Sequence, residues 1–509
     1  MTTVEWNTSI DWWQLVVARA DCTPDARMLL DERGRTLTFG EYRVLAEEVA
    51  AGLAAQGVRS GDVVSWQLPT GIESVVLMAA LGRLGVVQNP IIPILRHAEV
   101  DVIIGQLHSQ WYVVPGLWRG FDYTALANDV AARHGCTVLE VPLANVGEGE
   151  VVLPRADPAM LAPYVPSTDV RWVYYTSGTT AQPKGIRHTD ASALSVSHVA
   201  VDAWHIQFGD MFPIAIPFTH IGGVMLVGGQ MRIGYTLGLF EAFDPVNTTI
   251  AMGQMGATHL GSAVPFFLAY LAVQRQQDMP LFPNLKVCIA GGAPLPPELH
   301  DQVRNELGGR GIINAYGLTE CPSPLSVRLT DPEEAFRGSV GRPGRDVQVK
   351  IDEATGELRL KAPQLFQGYV DAALDADAFD PEGWFRTGDI ARIDDQGFVH
   401  ITGRIKDIII RNAENISAIE VENVLHEHPS IQDVAVVGIP DPKTGERAVA
   451  VIVLAPGAAP LTLQEVGAHC AARGLARQKT PEQLDFIDVL PRNSMGKILK
   501  HDLRARLAG

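Results

Sequence analysis

The sequence predicts an α/β protein: a large multi-subdomain N-terminal domain with buried sheets, followed by a small α+β C-terminal domain. Three observations predict it. Short β-branched runs alternate with helix-like stretches along most of the chain, the pattern of helices layered on buried sheets. Three of the strand-like runs end in small-residue segments, which places a ligand crevice at the carboxyl ends of a sheet. After about Gly403 the texture changes, and the remaining residues, about 100 of them, suffice for an independent domain.

Arg171–Tyr175 (RWVYY) reads as a strand, the following TSGTTAQPKG as a loop by composition, and Ala191–Trp204 as a helix. Lys286–Ala290 (KVCIA) is a second strand, ending in Gly291-Gly292 and followed by a Pro-started helix, Pro296–Leu307. Gly311–Asn314 is a third, running into AYGLTE. IARIDDQGFVHIT reads as a hairpin with DDQG at its turn, which returns the chain so that Asp389 and Arg404 reach one edge. Beyond the charged segment Gly403–Lys406, where the domain boundary is placed, strands are expected at Asp407–Ile410, Asp433–Ile439, Ala448–Leu454 and Leu484–Val489. Helices are expected at Ser417–Glu427 and Leu463–Arg473.

Of 509 residues, 47% are hydrophobic and 19% charged, enough apolar surface for a sizeable core, so intrinsic disorder is excluded. Lys and Arg number 41 against 58 Asp and Glu, a formal charge of −17. That balance argues against a nucleic-acid partner or an anionic membrane surface, while leaving room for a local basic pocket. The five cysteines are scattered, with neither a disulfide framework nor zinc spacing. No run of about 20 uninterrupted apolar residues appears, so no integral membrane contact is expected. MTTVEWNTSIDWW lacks the features of a signal peptide, and a cytoplasmic location is expected.

The segment Tyr174–Thr189 (YYTSGTTAQPKGIRHT) is the most informative. Small hydroxyl residues and glycine expose backbone N–H groups, so the loop can wrap an anion, and Lys184 adds a mobile positive charge. It is not a Walker loop, because Gly178 is followed by TTAQPK.

YTSGTTAQPKG resembles the phosphate loop of the adenylate-forming enzymes, the superfamily of acyl-CoA synthetases, firefly luciferase and peptide-synthetase adenylation domains. GGAP (Gly291–Pro294), YGLTE (Tyr316–Glu320), GWFRTGD (Gly383–Asp389), GRIKD (Gly403–Asp407) and PRNSMGK (Pro491–Lys497) follow in the family's order. The resemblance covers essentially the whole chain. It implies attack of a carboxylate on the α-phosphate of ATP, release of pyrophosphate, and transfer of the acyl-adenylate to coenzyme A. Charge neutralisation and positioning must carry such chemistry, since both reactants are anions.

By resemblance, ATP and AMP are held by Thr176, Ser177, Gly178, Thr179, Thr180 and Lys184, by Gly291, Gly292, Ala293 and Pro294, and by Ala315, Tyr316, Gly317, Leu318 and Thr319. Tyr316 lies against adenine, Thr319 contacts phosphate, and Asp389 and Arg404 hold the ribose. Glu320 suits Mg2+, a hard cation that prefers carboxylate and phosphate oxygens. Lys497 is the adenylation lysine; with Thr176, Glu320 and His220 it makes the expected catalytic set. Lys500, in the same stretch, is expected to be a solvated helix residue. Lys406 occupies the hinge, so the resemblance implies an AMP-binding and acyl-binding domain over 1–402, a hinge at 403–406 and a mobile lid over 407–509. The lid turns to open a pantetheine tunnel, with Lys406, Asn412, Ala413 and Glu414 on the CoA side. Asn412 and Ala413 replace a Gly-Gly pair found in many acyl-CoA synthetases, and Ala tolerates left-handed backbone poorly, so the tunnel's shape is in question.

PFTHIGG (Pro217–Gly223) matches the family's acyl-pocket motif, with His220 near the substrate carboxylate. Relatives that activate amino acids place an aspartate there; no acid occurs between Pro213 and Phe240, although Asp210 and Glu241 flank the window. A buried ammonium without a counter-charge is costly, which disfavours an α-amino acid. Ile221, Gly222, Ala263, Val264, Gly292, Gly317 and Leu318 complete an apolar lining. With the NPIIP run at Asn89–Pro93, the expectation is a medium-chain, alicyclic or steroid side-chain acid. The alternatives are an acyl-AMP ligase serving a carrier protein, a luciferase-like oxygenase, and a catalytically inactive nucleotide or acyl sensor. The sensor's expected loss of Lys497, Glu320 or the phosphate loop is not found. A homodimer is allowed.

Overall fold

The computed structural model describes residues 3–5, 10–143, 151–176, 183–292, 295–411, 414–492 and 497–508. Of the expected site residues, Ser177, Gly178, Thr179, Thr180, Ala293, Pro294, Asn412 and Ala413 lie outside them.

One six-stranded sheet runs in the order 184–189, 170–176, 87–90, 63–66, 111–114, 137–140. Its inner strands are parallel, joined by helices such as Ile72–Leu84 and His97–Leu107. The alternating strand and helix runs of the sequence produce this arrangement, because parallel neighbours require a crossover. A second sheet takes strands 259–262, 287–291, 312–318, 321–326 and 342–343 in order, parallel for the first three. A third, of 348–351, 357–361, 385–393 and 399–404, is antiparallel throughout. The hairpin read from DDQG is its last pair: Asp394 Oδ1 accepts from the Gln396 and Phe398 amides, and Gly397 takes φ 82°. A further sheet pairs 431–441, 445–454, 408–411, 414–417 and 483–486, with helices Ala418–His426 and Leu463–Ala472 against it. That sheet draws only on residues after Asp407.

Three readings of the chain change. KGIRHT, read within and just after a loop, is an edge strand, Lys184–Thr189, antiparallel to Val170–Thr176. Ala191–Trp204 is not one helix but two short ones, Asp190–Ser195 and His198–Asp202. The run Ser195-Val196-Ser197-His198-Val199 consists of weak helix formers, and the break falls within it. AYGL is strand rather than loop: Ile312–Leu318 continues to Leu318, and Thr319-Glu320 form the two-residue turn into Cys321–Ser326.

Candidate active site

The edge hairpin sets Thr176 directly opposite Lys184, so the phosphate-loop segment is the connection closing this pair. The Lys184 ammonium lies 5.4 Å from the centre of the Tyr369 ring. The Tyr369 hydroxyl donates to Glu320 Oε1 at 2.9 Å. One tyrosine thus joins Lys184, expected on the phosphate side, to the candidate metal-binding acid, though no motif marks it. The Thr319-Glu320 turn is propped by His188, which is fully buried: Nε2–H donates to the Thr319 carbonyl at 2.8 Å, and Nδ1 accepts from Ser192 Oγ at 3.0 Å. Burial pushes the His188 imidazole down to about 4, so it stays neutral and keeps this polarity. Gly317 could be no larger residue: a Cβ there would stand 2.4 Å from the Ser323 amide nitrogen.

Where the ribose is expected, register pairs Asp389 with Arg404. Arg404 Nε donates to Asp389 Oδ1 at 2.5 Å, and Tyr316 OH donates to Oδ2 at 2.6 Å. Tyr316, expected against adenine, therefore also orients the carboxylate, and burial with Asp389 raises its phenol far above the usual range. Each Asp389 oxygen retains a second lone pair for a sugar hydroxyl. Gly291 and Ala315 are register partners at the neighbouring strand ends, and Gly292 follows at φ 80°.

Lys497 falls within electrostatic reach of this pair. Its side chain keeps contact with solvent, but loss of water around it, then Arg404, lower its ammonium to about 8 against the opposing pull of Asp389 and Asp407. The C-terminal segment is thus oriented with Lys497 on the side of Asp389 and Arg404. Lys500 departs from expectation. It is not solvated: Lys500 Nζ meets Glu422 Oε1 at 2.8 Å, with side chains only 13% and 10% exposed. Glu422 Oε1 also accepts from the Val436 amide at 2.7 Å, which fixes the start of helix Lys500–Ala508 on its sheet. Arg504, one turn on, donates to Asp407 Oδ1 at 3.0 Å, tying the terminal helix to the segment after Arg404. Lys406 sits among Lys184, Arg404, Asp407 and Glu320; burial and then Lys184 lower its ammonium. Glu414 lies exposed, opposite Arg411.

His220 is the N-cap of helix Ile221–Ile233, its Nδ1 accepting from the Gly222 amide at 3.2 Å. Burial holds the ring neutral, at about 4, which leaves Nε2–H as a donor for a carboxylate. His220 and Ile221 line a narrow cleft with Ile91, Ile92, Tyr174 and Thr319, so the NPIIP run meets the histidine. Tyr174 had no part in the expected lining. Ala263 is buried at the start of helix Val264–Gln274, and Val264 packs on the core beside it. The two acids flanking the acyl window are committed elsewhere. Asp210 is held by Lys286 Nζ at 2.7 Å, and Glu241 by Arg33 at 2.8 Å and the Trp118 indole at 3.0 Å.

The chain matches the family model for AMP-binding enzyme over residues 16–370, and that for the AMP-binding enzyme C-terminal domain over 420–497. It is 32% identical to a medium-chain fatty-acid–CoA ligase of Escherichia coli K12, across 97% of this chain and 89% of the relative. It is 34% identical to triostin synthetase I of Streptomyces triostinicus, across 93% and 90%. Among solved structures, ATP-bound MatB from Rhodopseudomonas palustris superposes with a TM-score of 0.86 at 26% identity, covering 98% of this chain and 99% of that one. No helix among the described residues is long and apolar enough to cross a membrane. The chain belongs to the AMP-binding enzyme family, as an adenylate-forming enzyme of the AMP-forming acyl-CoA synthetase type.

Proposed function

We propose that the protein activates an apolar carboxylic acid with ATP and passes the acyl group to coenzyme A. The observation that carries this reading is convergence: Lys184, Lys406, Arg404 and Lys497 gather around Glu320 and Asp389, where two anions would otherwise repel. In the first step a carboxylate oxygen forms a bond to the α-phosphorus of ATP. The bond from that phosphorus to the bridging oxygen breaks, and pyrophosphate departs with the electron pair. Asp389 and Arg404 hold the ribose, Tyr316 the adenine, and the loop from Thr176 to Lys184 the outer phosphates. His220 Nε2–H orients the acid, and Lys497 neutralises the charge developing between acid and phosphate.

Glu320 fits a magnesium ion: Tyr369 takes Oε1 and leaves Oε2, in a half-buried turn beside the phosphate-side lysine. A hard cation bound by one carboxylate and phosphate oxygens needs no more from the protein. Such an ion would supply further neutralisation of the leaving pyrophosphate. In the second step residues 407–509 turn about the hinge 403–406. The CoA thiol, approaching past Lys406 and Glu414, loses its proton to solvent and attacks the acyl carbon; the carbon–sulfur bond forms, the bond from that carbon to the AMP oxygen breaks, and AMP leaves with the electron pair.

Apolar lining at Ile91, Ile92 and Ile221 beside His220, and the prior engagement of Asp210 and Glu241, favour a medium-chain, alicyclic or steroid side-chain acid over an amino acid. The similarity to a medium-chain fatty-acid–CoA ligase supports the same choice. A pyrophosphate-release screen across aliphatic, aromatic, alicyclic, steroidal and amino acids tests it. Response to apolar acids, with thioester appearing on CoA addition, is expected; response to amino acids alone overturns the substrate class. Hydroxamate formation without any thioester would assign the acyl-AMP ligase instead.

A further inference from the structure

A second cavity, of about 230 Å3, opens between the short helices Asp190–Ser195 and His198–Asp202 and the strand Cys321–Ser326. His198, Asp202, Ser323, Arg328, Arg342 and Arg345 stand on its walls. Arg232 lies directly behind: its Nη1 donates to His198 Nδ1 at 3.0 Å. Three guanidiniums therefore line this space, and a fourth stands behind His198. Their counter-charges are Asp202, Asp331, Asp346 and, toward Arg232, Glu5; Asp202 and Asp331 are already spent. Asp202 binds Arg345 at 2.9 Å, and Asp331 binds Arg342 at 2.7 Å.

Arg328 and Arg232 have no ion pair among the described residues; Arg328 Nη2 reaches only the Pro343 carbonyl, at 3.2 Å. Arg232 is 3% exposed, and its Nε is buried without a hydrogen-bond partner among the described residues, as are Arg342 Nε and Ser197 Oγ. Buried polar groups in native proteins are nearly always bonded, and a buried cation without an anion is more costly still. Burial and then Arg345 depress the Arg232 guanidinium, and burial with Arg232 holds His198 neutral, at about 4. His198 thus offers an acceptor to Arg232 and adds no positive charge of its own.

We propose that this cavity is a binding site for a small polyanion carrying carboxylate or phosphate groups. Guanidinium forks match both groups through paired N–H donors. A cavity of about 150 Å3 takes one benzene, so the larger space here suits a molecule of about citrate size. The wall of this cavity is shared with the active site: Ser323, at φ 44°, places its amide nitrogen against Gly317, and its hydroxyl contacts the Met225 sulfur at 3.7 Å. The anion is either a separate soluble molecule or the far carboxylate of a diacid substrate; the second case would replace the apolar acid of the proposed function with a diacid. Binding is read without ATP or an acid substrate, so this inference stands or falls apart from the proposed reaction.

Calorimetric titration of the full chain with citrate and with inorganic phosphate tests it, using wild type, Arg328→Gln and the surface variant Arg345→Gln. One saturable site is expected in wild type, weakened about tenfold or more when a charged hydrogen-bond donor is lost. Absence of saturable binding by either probe overturns the proposal, as does unchanged affinity in both variants. Arg345 is largely exposed, so that variant remains informative even where Arg328→Gln does not fold. Two arms then identify the source. If the cavity takes the substrate's far end, adipate releases pyrophosphate better than hexanoate in wild type, and Arg328→Gln removes the preference. If the anion is separate, citrate binds with the same affinity when hexanoate and ATP are present.

Discussion

The lowered ammonium of Lys497 gives the reaction a pH limit that can be calculated. The group is ordinarily protonated to about pH 10.4. Here its value is about 8, because surrounding protein removes water and Arg404 repels it. Neutralisation requires the protonated form, so adenylation is fully supported below the folded value and lost as pH rises through it. One unit either side of a pKa leaves about 90% or about 10% protonated, so kcat/KM for ATP should fall roughly tenfold between about pH 7 and 9. Burial displaces the phenols of Tyr316 and Tyr369 from this limb by raising them well above the usual range, and a contribution from the lowered Lys406 ammonium would persist in Lys497→Arg. Bound ATP brings several negative charges beside the ammonium and raises its pKa, so the limb in kcat at saturating ATP lies higher than that in kcat/KM. The assay is isotope exchange between pyrophosphate and ATP across this range in wild type and Lys497→Arg. A guanidinium does not titrate there, so the variant's remaining exchange should be flat. A wild-type limb near pH 10.5, or the same limb in Lys497→Arg, refutes the assignment.

Other perturbations divide the steps. Lys406→Pro fixes backbone at the expected hinge and should impair thioester formation far more than hydroxamate formation; equal loss of both contradicts a swivel there. Lys500→Met leaves Glu422 buried without its cation, a change worth about 3–5 kcal/mol, and should loosen the terminal helix. Exchange per folded molecule should fall with it and recover in part in Glu422→Gln/Lys500→Met; thermal unfolding followed with exchange separates the two effects. Glu320→Gln should raise the magnesium concentration needed for half-maximal exchange while leaving ATP-independent stability nearly unchanged.

Local signals carried much of this structure. The DDQG turn, read by its chemistry, is enough to put Asp389 opposite Arg404, because an antiparallel hairpin fixes register across its length. The strand ending in Gly291-Gly292 and its Pro-started helix were equally legible. KGIRHT was not, since it lies on a sheet edge and carries three basic residues among its six. Lys500 was misplaced for a different reason: its partner Glu422 is 78 positions earlier, and no local pattern records a buried pair across that separation. Tyr369, His188 and Tyr174 escaped likewise, each acting through a residue that a motif does mark: Glu320, Thr319 and His220. The substrate class is read from what is absent between Pro213 and Phe240, and gained force only when Asp210 and Glu241 proved to be engaged by Lys286 and Arg33.

The central claim is that a substrate carboxylate attacks the α-phosphorus. Mass spectrometry after turnover with an acid labelled with oxygen-18 in both carboxylate positions tests it directly. The account predicts AMP carrying one heavy oxygen and a thioester retaining the other. AMP free of label, with the heavy oxygen in pyrophosphate or phosphate, would contradict it.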